Sequence, residues 1–160
     1  MFRFLCKDRA ETNELLASTL HDQDTFYPKF IQDLNTAQSE VIIESPFITG
    51  NRVASLLPIF SKIRSRDVRV IVNTRDPHEH DFPFSQVATD AIQEMQALGV
   101  EVLFTGGHHR KLAIIDGVLL WEGSLNILSQ NDSCEIMRRT NSPSLAQQVL
   151  RFTKINAFLG

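Results

Sequence analysis

Three short aliphatic runs, VIIES at 41–45, DVRVIVN at 67–73 and VEVLF at 100–104, are separated by stretches with helical periodicity. No other feature constrains the fold as much. Strands that alternate with helices are most simply parallel, each returned to the sheet by a right-handed crossover, with helices packed on both faces. Phe26, Phe30, Ile31, Leu34 and Ala37 mark the first helix, with Pro28 in its first turn. A second helix is expected over residues 53–65, its start obscured by Pro58. In the third, Ser85 is the expected cap, Val87, Ala88, Ala91, Ile92, Met95 and Leu98 form the apolar face, and Gly99 ends it. CEIMRR at 134–139 reads as a further strand. Pro143 opens a C-terminal helix carrying Leu145, Val149, Phe152 and Ile155, while Leu15, Leu16 and Leu20 suggest a packed N-terminal segment. The expected architecture is one α/β domain over residues 1–160, a mixed, mostly parallel β-sheet flanked by helices.

The stretch HHRKLAIIDGVLLWEGSLN at 108–126 is different: it alternates as an antiparallel hairpin around Asp116-Gly117. A two-residue turn there predicts Ile115 opposite Val118, Ala113 opposite Leu120, Lys111 opposite Glu122 and His109 opposite Ser124. Side chains two apart on a strand share a face. His109, Lys111, Glu122 and Ser124 are then expected on one side, with Asn126 just beyond, and Leu112, Ile114, Leu119 and Trp121 on the other. A ring nitrogen, an ammonium, a hydroxyl and an amide at one end of a hairpin make an anion site that contains a nucleophile. Phosphate is the expected guest, because the lysine supplies charge and the serine and asparagine supply neutral donors. The spacing is not that of metal ligands, so neither metal nor cofactor is expected.

A formal charge of −3 offers no global basic field for nucleic acid or membrane, so an anionic substrate has to be met by a local cluster. Arg64, Arg66, Arg69 and Arg75 form one arginine group, and Arg138 and Arg139 another, each suited to tracking a phosphate backbone. Cys6 and Cys134 make no disulfide framework, and the charged N-terminus lacks the apolar core of a secretory signal. Reduced thiols and a cytoplasmic location are therefore expected. No apolar run reaches membrane-spanning length. The polar loop RDPHEHDFP at 75–83 holds His78 and His80, which read as loop residues before metal ligands; the loop follows the C-terminal end of a strand and is expected to border the substrate cleft. Glu44 reads first as a strand-end carboxylate.

His109-x-Lys111-x4-Asp116-x6-Gly123-Ser124-x-Asn126 resembles the His-Lys-Asp signature of the phospholipase D superfamily, and the preceding β-α-β-α-β order is similar to that family's fold. The resemblance implies that His109 is the nucleophile and forms a phosphohistidine. It implies that Lys111 and Asn126 bind the non-bridging phosphate oxygens, and that Ser124 holds phosphate or histidine. It implies, too, a downstream carboxylate that orients the histidine; Glu135 is the best match, with Glu122 as a local competitor and Arg138 or Arg139 as rival partners for Glu135. Asp116 belongs to the motif, but at the turn tip it reads as mainly structural. The family reaction uses two histidines, one to attack and one to protonate the leaving oxygen. One motif in one small chain therefore implies a homodimer with the active site at the two-fold interface.

These features together predict a metal-independent phosphodiesterase, an endonuclease acting on DNA before RNA. One alternative is a phospholipid-directed phosphatidyl transferase or phospholipase. Another is a non-catalytic nucleic-acid-binding and dimerisation module of a larger DNA-processing enzyme.

Overall fold

The computed structural model describes residues 13–129 and 132–158. Cys6 and the charged N-terminal run lie outside the described residues; Cys134 is a free, exposed thiol. Seven strands form one sheet: β1 (Thr19–His21), β2 (Glu40–Glu44), β3 (Arg69–Thr74), β4 (Glu101–Phe104), β5 (Leu112–Ile115), β6 (Leu119–Gly123) and β7 (Met137–Asn141). Their order is β1-β7-β6-β5-β2-β3-β4. Strands β2, β3 and β4 are parallel, and the other pairings are antiparallel. The helices are α1 (Phe26–Thr36), α2 (Gly50–Arg64), α3 (Phe84–Ala97) and α4 (Pro143–Thr153).

Both crossovers run the same way across the sheet, so α2 and α3 cover the same face. They pack with α1 over Val41, Ile43, Val70, Val72, Ala113, Ile115 and Trp121. Helix α4 covers the other face, burying Ala146 and Leu150 against Ile42, Ile71, Leu112, Ile114 and Leu120. Several local expectations shift. Helix α2 starts at Gly50 and runs through Pro58, which is exposed. Pro83, not Ser85, precedes α3. The C-terminal strand begins at Met137, so Cys134–Ile136 precede it. Phe152 is 82% exposed, because α4 turns Ala146 and Leu150 inward instead. Leu15, Leu16 and Leu20 are also exposed among the described residues. Gly99 has φ +82°, as its position after α3 requires.

The hairpin differs from expectation by one residue. Asp116 and Gly117 take positive φ and the Val118 N–H closes onto the Ile115 carbonyl, so the two-residue turn forms. Val118 is then left over as a bulge, and Ile115 pairs with Leu119, Ala113 with Trp121 and Leu112 with Glu122. A slip of one residue moves a strand's side chains to the other face. Trp121 and Leu119 therefore share the Ala113 face. Glu122 lies with Leu112 on the α4 face, which removes it from the expected polar cluster.

Outside bonds pin the turn. The Asp116 N–H donates to the Glu40 carbonyl, and the Val118 carbonyl accepts from Ser142 N–H. The Asp116 carboxylate accepts from the N–H of Gln38 (2.9 Å), Ser39 (2.8 Å) and Glu40 (3.0 Å) and from the Ser39 hydroxyl (2.9 Å). Burial pushes the Asp116 carboxyl up, but these bonds outweigh it and hold it below its ordinary value of 3.8. Asp116→Asn should therefore cost about 1–2 kcal/mol at neutral pH, as loss of a capping carboxylate does. A carboxylate with depressed folded pKa stabilises above its unfolded value and loses that contribution as pH falls through the folded value. Urea titrations of the two proteins should converge below about pH 4; a constant difference down to pH 2 would reject the role given to the charge.

Candidate active site

Because β5 runs antiparallel to β2, the start of β5 lies beside the C-terminal end of the parallel strands, where Glu44 pairs with Leu112. His109, Arg110 and Lys111 lead into β5 at this end. Ser124 and Asn126 leave β6 here, and Glu135 stands just ahead of β7. The motif therefore converges where the sheet opens to solvent, the customary place for a site in an open α/β sheet.

The Lys111 ammonium donates to His109 Nδ1 at 2.9 Å and to the His109 carbonyl at 2.8 Å. An ammonium has no lone pair, so Nδ1 accepts, and a neutral His109 ring carries its proton on Nε2. His109 is exposed and meets Phe47 edge-on, with ring centroids 6.0 Å apart. Burial lowers the Lys111 pKa, and the charge of Glu135 opposes this. The Ser124 hydroxyl donates to Glu135, and the Ser133 hydroxyl donates to its other oxygen. These two bonds, the Ser124 bond first, hold Glu135 below the ordinary carboxylate range with help from Lys111. Glu135 thus binds Ser124 and acts on Lys111 through space; it takes neither rival arginine, since Arg138 donates to Ser18 and Arg139 to Asp33. Asn126 is half-buried, and its Oδ1 has no hydrogen-bond partner among the described residues.

Gly123 explains why the serine segment fits. A Cβ there would collide with the Ile136 carbonyl and stand 2.9 Å from the Met137 Cα. Its absence lets β7 approach, so Ser124 N–H donates to Ile136 O at 2.9 Å and Ile136 N–H to Ser124 Oγ at 3.1 Å. Gly123 N–H also donates to the Lys111 carbonyl at 3.3 Å, locking the serine segment to the lysine segment. Asp116 is at the other end of β5, tied to residues 38–40.

Pleating sends Arg110 to the face opposite Lys111, onto Glu44, which is fully buried. Arg110 Nη2 donates to Glu44 Oε1 at 2.9 Å, Arg110 Nε donates to Oε2, and Asn73 Nδ2 adds a bond at 3.0 Å. His108 is buried beside them, its Nδ1 accepting from Arg110 N–H (3.1 Å) and its Nε2 donating to Asn73 O (3.2 Å). Burial lowers its pKa despite the attraction of Glu44, consistent with this neutral ring. Sequence reasoning did not find the Arg110–Glu44 pair; the alternation of 109, 110 and 111 hinted at it, but only with the β2–β5 pairing known.

The arginines of the first group already have partners within the protein. Arg69 donates to Glu101, Arg75 to Glu79, Arg64 to the Val68 carbonyl and Arg66 to the Asn35 and Ala37 carbonyls. Each guanidinium is engaged by a local acceptor. The 75–83 loop does border the site: His80 and Asp81 line a cavity of ≈ 580 Å³ with Phe47 and Asn126. His78 bonds Asp76 at 2.8 Å, and among the described residues no group of three His, Cys, Asp or Glu is placed to hold a metal ion. A second cavity, ≈ 350 Å³, holds Tyr27, Arg52, Asn126 and Glu135. No described helix is long and apolar enough to cross a membrane.

A mixed sheet with His-x-Lys and Gly-Ser-x-Asn segments meeting at its open end defines a phospholipase D-like domain. Residues 30–155 match the family described as cardiolipin synthase, PLD-like domain, and the chain belongs to the phospholipase D superfamily. It is similar in structure to Nuc, a phospholipase D family member from Salmonella typhimurium (15% identity, TM-score 0.68, 85% of this chain and 90% of that one). It is similar also to NucT from Helicobacter pylori (18%, 0.66, 86% and 92%). The archaeal chromatin protein TrmBL2 shares the fold over 98% of this chain and 61% of that one (14%, 0.60). No curated protein matches the chain in sequence. Family and fold together support a phospholipase D-type phosphodiesterase.

Proposed function

We propose that the protein is an endonuclease, cleaving DNA before RNA through a phosphohistidine on His109. The observation that supports a polymeric substrate is the pair of cavities that meet at Asn126 and Ser129, one lined by Phe47 and His80 and the other by Tyr27 and Arg52. Such a site accepts a chain that continues in both directions from the reacting phosphate. Two further features support nucleic acid. The domain is the size of Nuc and NucT, each covered nine-tenths or more. TrmBL2, which shares the fold, is a chromatin protein that binds DNA.

In this reading Lys111 leaves His109 Nδ1 for a non-bridging phosphate oxygen, and Asn126 Nδ2 takes the other. The ring proton moves to Nδ1, and the Nε2 lone pair attacks phosphorus. The P–N bond forms as the P–O bond to the leaving group breaks, and that oxygen takes a proton from the His109 imidazolium of a second copy. Water then attacks the phosphohistidine, giving its proton to the second imidazole as the P–N bond breaks. Ser124 and Glu135 position Lys111 and the β6 exit. The second histidine makes the site a two-fold dimer interface.

The test is cleavage of a labelled oligonucleotide in EDTA, with solution mass measured in parallel. We expect EDTA-resistant cleavage by a dimer. Loss of all cleavage on chelation would overturn the mechanism. Turnover of phospholipid vesicles with none of oligonucleotides would select the lipid reading that the family description brings. Oligonucleotide binding with no hydrolysis, even of bis(p-nitrophenyl) phosphate, would make the domain a binding module.

A further inference from the structure

Arg52 stands in the first turn of α2, which carries no acidic side chain. Its guanidinium carbon lies 3.5 Å from the centroid of the Tyr27 ring, and its Nε is buried without a hydrogen-bond partner among the described residues. Arg64, Arg66, Arg69, Arg75, Arg110, Arg138 and Arg139 all donate to a protein acceptor. Arg52 donates to none among the described residues, and it lines the ≈ 350 Å³ cavity that reaches Asn126. A stacked arginine is pre-ordered, so little side-chain entropy remains to be lost when it binds an anion. Tyr27 is no counter-charge: burial pushes its phenol up to about 12, against the opposing charge of Arg52, and its hydroxyl donates to Ile127 O at 2.9 Å. Of the carboxylates in this cavity, Glu135 is held by Ser124 and Ser133, while Asp24 and Asp132 are exposed. None of the three forms an ion pair with Arg52 among the described residues.

We propose that Arg52 binds the phosphate next to the scissile one, using the guanidinium held on Tyr27 at the cavity wall beyond Asn126. The proposal rests on the nucleic-acid reading above. The cavity lining includes neither His109 nor Lys111, so Arg52 serves a group displaced from the reacting phosphorus. It sets the direction in which the strand crosses the site, and it is a binding residue, not a participant in bond breaking.

Fluorescence anisotropy of a labelled single-stranded oligonucleotide should be measured at several salt concentrations with three proteins. These are His109→Ala, His109→Ala/Arg52→Gln and His109→Ala/Arg52→Lys. One lost phosphate contact lowers the slope of log K against log salt by about 0.7 for a single strand. We expect Arg52→Gln to weaken binding about tenfold and lower the slope by that amount, and Arg52→Lys to keep the slope. Weaker binding at unchanged slope would make Arg52 a base-stacking or purely structural residue and overturn the proposal, as would no binding by the parent. A probe that needs no change at Arg52 guards against misfolding: the oligonucleotide should protect Arg52 of His109→Ala from phenylglyoxal, and an unprotected Arg52 overturns the proposal. Hydrolysis is judged separately on bis(p-nitrophenyl) phosphate, which has no neighbouring phosphate. Absent turnover beside an intact slope effect would refute the hydrolytic reading and leave the Arg52 site standing.

Discussion

Replacing His109 by alanine should abolish phosphodiester hydrolysis, lowering kcat by about 10³-fold or more, which corresponds to about 4 kcal/mol of barrier. The effect is large because the imidazole that meets the Lys111 ammonium is proposed to form the covalent bond to phosphorus. Ser124 is engaged with Glu135, and His108 is buried and held at both ring nitrogens. Stability should barely change. His109 is exposed, and its side chain meets the Lys111 ammonium and the Phe47 edge, so the cost should stay within about 0.5 kcal/mol. Two measurements separate the chemistry from the fold. Quenched single-turnover reactions with phosphorus-labelled substrate should label the unmodified protein and leave His109→Ala unlabelled. Urea titration should give coincident curves. Turnover within threefold of the unmodified protein, or label retained by His109→Ala, would move the nucleophile elsewhere.

The second large effect is on stability. Arg110→Met should destabilise the protein by about 3–5 kcal/mol, because it strands the fully buried Glu44 carboxylate without its guanidinium. The Asn73 amide would remain as a hydrogen-bond donor to it. The double variant Arg110→Met/Glu44→Leu should recover much of that loss, since removing both charges removes the desolvation penalty. Trp121 is the single tryptophan, so its fluorescence follows unfolding directly. A double variant as unstable as Arg110→Met would show that the guanidinium acts through packing. Arg110 is flanked by His109 and Lys111, so the pair also anchors the backbone that presents both. Arg110 is thus a positioning residue. In the folded double variant, kcat should fall with KM little changed, because scissile-phosphate contacts remain but the imidazole is less well aimed.

Much of the fold was legible in the chain. The aliphatic runs at 41–45, 67–73 and 100–104 become β2, β3 and β4; in β2 and β3 the run is continuous because a strand buried on both faces has to be apolar along its length, while the edge strand β4 is only partly buried. The motif was legible for a similar reason: His109, Lys111, Ser124, Asn126 and Glu135 gather within two short segments and one strand start. What failed was anything decided by a partner distant in sequence. The register slipped because Asp116 and Val118 bond to Glu40 and Ser142. Arg66, Arg69, Arg138 and Arg139 looked free in sequence, yet their acceptors lie on distant segments.

Local chemistry, then, was enough to specify the succession of strands and helices, the phosphate-directed motif and the end of the hairpin where it collects. Periodicity and spacing act over a few residues and need no knowledge of neighbours. Tertiary structure alone decided which face each hairpin residue occupies, that Arg110 is neutralised by Glu44, and that Arg52 stands beside Asn126 with no ion-pair partner among the described residues. Those outcomes depend on which strands and helices come to lie against one another, and a one-residue difference in pairing reverses them.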